Sequence, residues 1–298
     1  MIMPNFLLIG AGKAGTTAIY EYLRQHPQVY MSPVKEPNYF AFMDAPVNFK
    51  GPGEDAMINR TSITDMERYQ ALFKGVQNES AIGEASQWYL YSEQAAGRIQ
   101  HYLPDVKMIA ILRDPIKRAY SDFLHFVRDE REPIKDFEQA LQAEEHRIQN
   151  HWGFGHYVRR GLYYGQVKRY LDRFDRSQLQ IYLNEDLKAD ATCLMHNIFR
   201  FLNIEASFLP DTSYRPNVSG IPQNRLLHKF LGKSNPVRTL IEPYAPASLR
   251  KAMITLKGRN LSQPPLSPEI RQQLIPIFRD DILKLQDLID RDLSAWLQ

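Results

Sequence analysis

The chain has 298 residues, 44% of them hydrophobic, which is enough to bury one large core. Its 37 basic and 34 acidic residues leave a net charge of +3, so we expect no nucleic-acid partner and only local anion sites. The single cysteine, Cys193, excludes an intrachain disulfide and fits a reducing compartment. With no linker, repeat or membrane-length apolar run, we expect one soluble, cytoplasmic domain over residues 1–298, of unknown oligomeric state.

The first predicted elements are a strand, a turn and a helix. Phe6 to Ile9 is a short apolar run typical of a buried strand, and Gly10 stops it. Residues 10–15 are rich in glycine and form the turn. Thr16 to Gln25 carries apolar residues three and four apart, the spacing of a helix, which Pro27 ends. This order provides free backbone N–H groups and a helix N-terminus, the geometry that holds a phosphate.

Further along the chain, apolar runs alternate with helical spacings. Met108 to Leu112 and Leu179 to Leu183 predict two more central strands. Helices are predicted over about 116–127, 162–174, 189–202 and 282–297. The alternation favours an α/β fold, a single P-loop-like domain with a central parallel sheet flanked by helices. Two polar stretches, Asp44 to Thr64 and Gln149 to Arg160, break the pattern and are predicted to be binding loops or surface excursions.

The glycine turn, Gly10-Ala11-Gly12-Lys13-Ala14-Gly15-Thr16-Thr17, departs from the Walker phosphate loop in one respect. Thr16 stands where the lysine of nucleotide triphosphatases belongs, and Lys13 lies three places earlier. This displacement, without a clear acidic partner for Mg²⁺ after the second strand, argues against ATP or GTP hydrolysis. From the tip of the turn, Lys13 can reach the oxygen between a 5′-phosphate and a leaving group and stabilise its developing charge. A glycine turn with a solvated lysine is the alternative.

A second anion site is predicted where the second central strand ends. Arg113 stands at the C-terminal end of that strand, where ligands bind in open α/β sheets. Ser121 lies eight positions on, about two turns into the next helix. A guanidinium and a hydroxyl so placed can clamp a second phosphate. Arg113-Asp114-Pro115 also has the form of an ordinary helix cap, so the residues alone leave both interpretations open.

Together these residues resemble the sulfotransferases that use 3′-phosphoadenosine 5′-phosphosulfate (PAPS), above all the branch of the heparan sulfate N- and 3-O-sulfotransferases and their bacterial relatives. Lys13-Ala14-Gly15-Thr16-Thr17 matches the motif for the 5′-phosphosulfate, and Arg113-Asp114-Pro115 with Ser121 matches that for the 3′-phosphate. His26-Pro27 and Lys35-Glu36-Pro37-Asn38-Tyr39-Phe40 are similar to the stretch whose glutamate is regarded as the catalytic base. Leu256-Lys257-Gly258-Arg259 is similar to the loop that closes over the 3′-phosphate.

The resemblance implies the sulfotransferase fold and a metal-independent, in-line transfer of a sulfuryl group from PAPS to a hydroxyl or amine, releasing 3′-phosphoadenosine 5′-phosphate (PAP). Glu36 would take the acceptor proton, with Glu84 as the reserve base, and Lys13 would stabilise the departing phosphate. The residues implied to bind the donor are Gly12, Lys13, Ala14, Gly15, Thr16, Thr17, Arg113, Ser121, Lys257, Gly258 and Arg259. We expect no metal site.

Three departures from the family pattern concern the acceptor. Asn38 replaces a histidine, Ala85 stands where many polysaccharide sulfotransferases have a lysine, and the cysteines flanking the Lys-Gly-Arg loop of heparan sulfate enzymes are absent. The donor motifs are intact, but the acceptor stays open between a saccharide, a lipid, a small metabolite and a carrier-bound acyl chain. Two other functions also stay open: a P-loop kinase-like phosphotransferase and an inactive protein that binds PAP or another nucleotide.

Three further patterns concern a charged run, an aromatic segment and a set of histidines. Arg128 to Glu132 is a run of five charged residues and is predicted to be a solvated helix end. Trp152 to His156 is predicted to be a flexible surface loop, with an acceptor lid as the alternative. His146, His151 and His156 recur every five residues, which is not a usual zinc spacing.

Overall fold

The centre of the computed structural model, which describes residues 2–213, 220–222 and 261–298, is a five-stranded sheet in the order β2-β3-β1-β4-β5. Each neighbouring pair of strands is parallel. The strands are β1 (Phe6–Gly10), β2 (Val29–Met31), β3 (Ala81–Ala85), β4 (Lys107–Leu112) and β5 (Leu179–Leu183). The α/β class and the parallel sheet confirm the prediction.

The middle strands form the core of the domain. Phe6 to Ile9 on β1 and Met108 to Leu112 on β4 are completely buried, because helices cover both faces of the sheet. Leu8 pairs with Ala85 of β3 and with Ile109 of β4. The carboxyl ends of adjacent parallel strands therefore meet at one edge of the sheet, where the segments that follow them come together.

Helices surround the sheet. The α-helices of the described residues are α1 (Thr16–Leu23), α2 (Tyr39–Phe42), α3 (Met66–Ala71), α4 (Trp88–Tyr91), α5 (Ala95–Tyr102), α6 (Pro115–Arg128), α7 (Phe137–Gln142), α8 (Glu144–Gln149), α9 (Tyr163–Leu171), α10 (Asn184–Ala189), α11 (Ala191–Leu202) and α12 (Pro268–Ile289). Shorter elements are a π-helical turn (Asp55–Asn59), 3₁₀ turns (Arg159–Gly161, Arg176–Gln178, Ser294–Leu297) and an antiparallel pair (Ile221–Pro222 with Leu261–Ser262). None of the helices in the described ranges has the length and apolarity that crossing a membrane requires.

Two strands were missed and one helix was misplaced by the sequence analysis. β2 has only three residues, and β3 contains Gly83 and Glu84, which weaken a strand pattern. Gly83 is needed there because a Cβ would collide with the ring of Phe6 on β1. The last helix was predicted over 282–297, but it begins at Pro268 and ends at Ile289, after which Asp290 adopts a left-handed conformation.

The two long polar stretches, residues 44–64 and 149–160, pack against each other and are called the paired loops below. The buried Glu54 carboxylate accepts hydrogen bonds from the N–H groups of Gly51 (2.7 Å), Gly153 (2.9 Å) and Phe154 (2.6 Å). Phe49 stacks on Trp88, with ring centroids 5.4 Å apart. The two stretches are therefore anchored to each other and to α4, although more than half of residues 44–64 stay exposed.

Two of the smaller sequence predictions are wrong for the same reason. The Arg128–Glu132 segment is not a solvated helix end, because Glu132 is buried and its carboxylate pairs with Arg147 at 2.8 Å. The Trp152–His156 segment is not a plain surface loop, because it holds the N–H groups that bind Glu54 and because His156 is buried. In both segments the decisive partner is distant in sequence.

Candidate active site

A cavity of about 1000 Å³ lies at the carboxyl edge of the sheet. Its walls come from the loop after β1, the turn after β2, helix α6 after β4 and helix α10 after β5. The sequence-predicted residues that line it are Lys13, Gly15, Thr16, Thr17, Glu36, Arg113 and Ser121. Gly12 and Ala14 belong to the same loop without lining the cavity, and Lys257, Gly258 and Arg259 lie outside the described residues.

The glycine turn is fixed by bonds to its carbonyl oxygens. Arg113 Nη1 donates to the Lys13 carbonyl at 3.0 Å, and Asn184 Nδ2 donates to the Ala14 carbonyl at 2.6 Å. Gly15 has a φ of 120° and approaches Leu187 so closely that a Cβ would lie 2.7 Å from its Cδ2 atom. Helix α1 begins at Thr16, and the first N–H groups of a helix have no partner within it. The turn can therefore present these N–H groups to an anion at the cavity wall.

Lys13 occupies the tip of this turn, in a left-handed conformation with a φ of 65°. Burial lowers the pKa of Lys13 to about 8, and the nearby Arg128 and Arg113 act in the same direction, against the opposing effect of Asp122. A cation that has lost water in this way is stabilised by a bound anion. Lys13 is thus half-buried at the cavity wall rather than fully solvated, and its role toward a donor stays a prediction.

Arg113 and Asp114 are placed for different roles, and the sequence had left open whether their motif caps a helix or binds an anion. Asp114 caps helix α6, because its Oδ1 atom accepts hydrogen bonds from the N–H groups of Ile116 (2.9 Å) and Lys117 (3.1 Å). Arg113 lines the cavity instead, as does Ser121 two turns along α6. The helix-cap interpretation is therefore confirmed for Asp114, and the anion site stays a prediction for Arg113 and Ser121.

Two further cations beside Arg113 escaped the sequence analysis. Lys117 and Lys188 both line the cavity, from α6 and α10. Burial lowers the pKa of Lys188, and the charges of Arg113 and Lys117 lower it further. Lys117 could have been found from its position one helical turn before Ser121, whereas Lys188 becomes visible only once β5 is placed beside β4.

Glu36 and Asp190 are the carboxylate residues that line the cavity among the described residues, and Asp190 is engaged in capping α11 through the Cys193 N–H. The backbone of Glu36 is left-handed, with a φ of 64°, and its N–H donates to the Ala85 carbonyl at 2.9 Å. One carboxylate oxygen accepts from the Gln87 N–H at 2.9 Å and the other from Lys35 Nζ at 2.8 Å. The Glu36 side chain keeps 24% of its surface exposed. The carboxylate is thus oriented on two sides and open to the cavity.

Glu84, the reserve base, is placed differently. It is completely buried and does not line the cavity. Its carboxyl group accepts hydrogen bonds from Ser86 Oγ (2.8 Å) and from the Tyr69 hydroxyl (3.2 Å). Burial is the main cause that raises the pKa of Glu84, to about 7. The geometry therefore favours Glu36 as the group that meets a substrate.

His125 is a third cavity residue that the sequence analysis missed. It lies one helical turn beyond Ser121 on α6 and lines the cavity. Its pKa is held well below the usual range, first by burial and then by the positive charge of Lys13. Arg128 Nη2 lies 2.7 Å from Nδ1 and donates to it, which leaves the proton of the neutral ring on Nε2. The Nε2 atom of His125 lies 3.6 Å from the Asp129 carboxylate, so the ring joins Arg128 and Asp129 at the cavity wall.

His26, which precedes Pro27 in the resembling stretch, has a structural role. Its ring is buried between Phe199 and Phe208, at centroid distances of 4.7 and 4.8 Å. Nε2 lies 2.9 Å from the Glu205 carbonyl, and Nδ1 accepts from the Gln28 N–H at 3.0 Å. His26 therefore joins the turn before β2 to the end of α11 rather than contributing to the cavity.

The fold and the site define an α/β protein with a glycine-rich turn between β1 and α1 at the carboxyl edge of a parallel sheet. The family model described as "Sulfotransferase domain" matches residues 3–224, and the chain therefore belongs to the sulfotransferase family. A crystal structure of a sulfotransferase from Alicyclobacillus acidocaldarius is similar over 100% of both chains, with 34% identity and a TM-score of 0.80. These findings confirm the family resemblance and the sulfotransferase fold.

Curated relatives are longer than this chain. Bifunctional heparan sulfate N-deacetylase/N-sulfotransferase 4 of Mus musculus is 28% identical over 99% of this chain and 31% of its own length. Carbohydrate sulfotransferase 15 of Homo sapiens is 29% identical over 68% of this chain and 44% of its own length. The chain thus spans less than half the length of either relative.

Proposed function

We propose that the protein transfers a sulfuryl group from PAPS to the hydroxyl or amine of an acceptor. The observation that carries the proposal is that the Lys13 turn, the Arg113–Ser121 pair and the Glu36 carboxylate line the same cavity, which supports two separate anion sites beside a base. ATP carries its phosphates in one row, which a single loop can hold. PAPS carries phosphates at both the 5′ and the 3′ position, which calls for two sites on different strands.

Each group then has a defined part in the reaction. The acceptor oxygen or nitrogen forms a bond to sulfur while the bond between sulfur and the bridging oxygen of the 5′-phosphate breaks. The acceptor proton passes to the Glu36 carboxylate, which faces the cavity. Lys13 stabilises the charge that develops on the bridging oxygen, and the N–H groups at the start of α1 hold the 5′-phosphate. PAP leaves as the second product.

The positive charge for this reaction comes from the chain itself, so we propose that it needs no metal. Lys13 lies at the 5′ end, and Arg113, Lys117 and Lys188 lie together at the other. Activity should then survive excess EDTA. If EDTA abolishes turnover and Mg²⁺ restores it with ATP as donor, the kinase-like alternative replaces the proposal.

Calorimetric titration with PAP and ADP tests the donor. A charge-assisted hydrogen bond contributes about 1.5–3 kcal/mol, so PAP is expected to bind roughly 10- to 150-fold more tightly than ADP, which lacks the 3′-phosphate. Equal affinity would contradict the donor assignment. Labelled PAPS is then offered with a panel of acceptors. The panel begins with saccharides, because the relatives are named as heparan sulfate and carbohydrate sulfotransferases. The panel continues with lipids, small metabolites and carrier-bound acyl chains, and an active enzyme separates the proposal from an inactive PAP-binding protein.

A further inference from the structure

The buried Glu84 lies behind the turn that carries Glu36 and is joined to it through hydrogen-bonded side chains. Glu36 and Asn38 are both left-handed, with φ values of 64° and 56°. Such conformations cost about 1–3 kcal/mol each in residues other than glycine, and they persist only where the surroundings enforce them. The contacts of the residues after β3 supply that enforcement.

Two hydroxyl groups link Glu84 to the segment after Glu36. Ser86 Oγ donates to Glu84 at 2.8 Å and accepts from the Asn38 N–H at 3.0 Å. The Tyr89 hydroxyl also bonds to Glu84 and accepts from the Phe40 N–H at 3.4 Å. A hydroxyl has one hydrogen to donate, so donation to Glu84 leaves its lone pairs for the backbone N–H. We call these two connections the Ser86 arm and the Tyr89 arm.

The arms satisfy backbone groups that helix α2 cannot satisfy itself. Asn38 precedes the first residue of α2, and no side chain from α2 or from Asn38 caps the helix. The N–H groups at a helix start need partners from elsewhere. Ser86 and Tyr89 supply them for Asn38 and Phe40, and Glu84 sets the direction of both hydroxyls.

We propose that Glu84 is a positioning residue: it orients Ser86 and Tyr89, which hold the segment after Glu36 and so aim the Glu36 carboxylate into the cavity. The proposal rests on the proposed function in taking Glu36 as the base. Glu84 acts without touching the substrate, because it is completely buried behind the turn.

Tyr69 provides a matched control. Its hydroxyl donates to the same Glu84 carboxyl at 3.2 Å and also bonds to the Tyr89 hydroxyl, but the N–H groups of Asn38 and Phe40 donate to Ser86 and Tyr89 rather than to it. Tyr69→Phe, Ser86→Ala and Tyr89→Phe each delete one buried hydroxyl around Glu84. All three are expected to lower the Tm similarly. Only the two arm variants should lower kcat, by roughly 10- to 100-fold, since a small misplacement of a reacting group costs up to about that much. Their PAP affinity should stay unchanged, and Ser86→Thr, which keeps the hydroxyl, should restore kcat.

Amide hydrogen exchange of Asn38 and Phe40 in the PAP-bound protein gives a readout that does not depend on activity. Exchange is expected to accelerate at Asn38 in Ser86→Ala and at Phe40 in Tyr89→Phe, and at neither in Tyr69→Phe. Equal exchange and equal kcat in the three variants would overturn the proposal and leave Glu84 a purely structural group. If Glu36→Gln keeps its kcat while the exchange pattern appears as expected, the assignment of the base fails and the arms stand.

Discussion

The two sides of the cavity are built in different ways. On the donor side, Arg113 and Asn184 follow directly on β4 and β5, and Lys13 lies three residues after β1, so parallel pairing brings these short motifs together. On the Glu36 side, the contacts join loops to each other, as between Glu54 and Gly153 and between Glu36 and Gln87. Contacts on both sides span long sequence separations, but the donor residues stand in contiguous motifs at strand ends. The Glu36 side depends on how its loops pack, so it can change without disturbing the donor motifs.

The most severe test of this division is Glu36→Gln. The variant keeps the shape of the side chain but removes the base, so kcat should fall by a factor of about 10² to 10⁴. PAP affinity should change little, because Glu36 belongs to the other side of the cavity. Kinetics with one working acceptor and titration with PAP measure the two effects. Glu21→Gln, on the outer part of α1, is the matched control, and a near-normal kcat in Glu36→Gln would end its role as base.

The raised pKa of Glu84 predicts that the free energy of unfolding depends on pH through a group on the Glu36 side. The folded protein raises the Glu84 pKa from its ordinary value of 4.5 to about 7, mainly through burial. The corresponding stabilisation is complete below about pH 4.5 and is lost as the pH rises through 7, by roughly 3 kcal/mol in all. Urea unfolding between pH 5 and pH 8 should therefore show a declining difference in stability between the wild type and Glu84→Gln. Parallel curves for the two proteins would contradict the prediction.

Arg113→Ala should have the opposite kinetic character to Glu36→Gln. It removes a guanidinium from the 3′-phosphate site and the hydrogen bond to the Lys13 carbonyl. The donor KM should rise roughly 10-fold or more, since a charge-assisted bond contributes about 1.5–3 kcal/mol, while kcat changes less. Arg24→Ala, an exposed position in the same domain, serves as the control. A fall in kcat without a change in KM would show that the two sides are not separable.

The pH dependence of PAP binding that Lys13 causes is the smallest expected effect, but it can be assigned to a single group. Because burial lowers its pKa to about 8, Lys13 loses its charge as the pH rises through that value. PAP affinity should therefore fall about 10-fold between pH 7 and pH 9, since only the ammonium form binds the phosphate. Lys13→Arg keeps its charge over this range and should bind PAP with little pH dependence. The same slope in both proteins would assign the titration to another group.

The sequence predicted those parts that depend on short-range order. The strands β1 and β4 are continuous apolar runs, and the motifs after them are contiguous, so the Lys13 turn and the Arg113–Ser121 pair could be placed on the correct elements. β3 escaped prediction because packing against Phe6, rather than β-propensity, decides the conformation of Gly83. The burial of Glu84 also depends on packing, because its hydroxyl partners include Tyr69 from a separate helix.

Charge patterns were the least reliable guide. The run of charges at the end of α6 suggested a solvated segment, yet Glu132 forms a buried ion pair with Arg147. The exposure of an acidic residue depends on whether a distant cation reaches it, and spacing along the chain carries no such information. Lys188 was missed in the same way, because its convergence with Arg113 requires the sheet order.

The hydrogen bonds of Glu54 restrict where this domain can be recombined with the domains of its relatives. The Glu54 carboxylate satisfies N–H groups on both paired loops, at Gly51 and at Gly153 and Phe154. A crossover point between residues 64 and 149 would take the two loops from different parents. Unless the second parent also has a carboxylate that reaches the same place, buried N–H groups lose their partner, at about 1–3 kcal/mol each. Chimeras of this domain should therefore inherit residues 44–160 as one block.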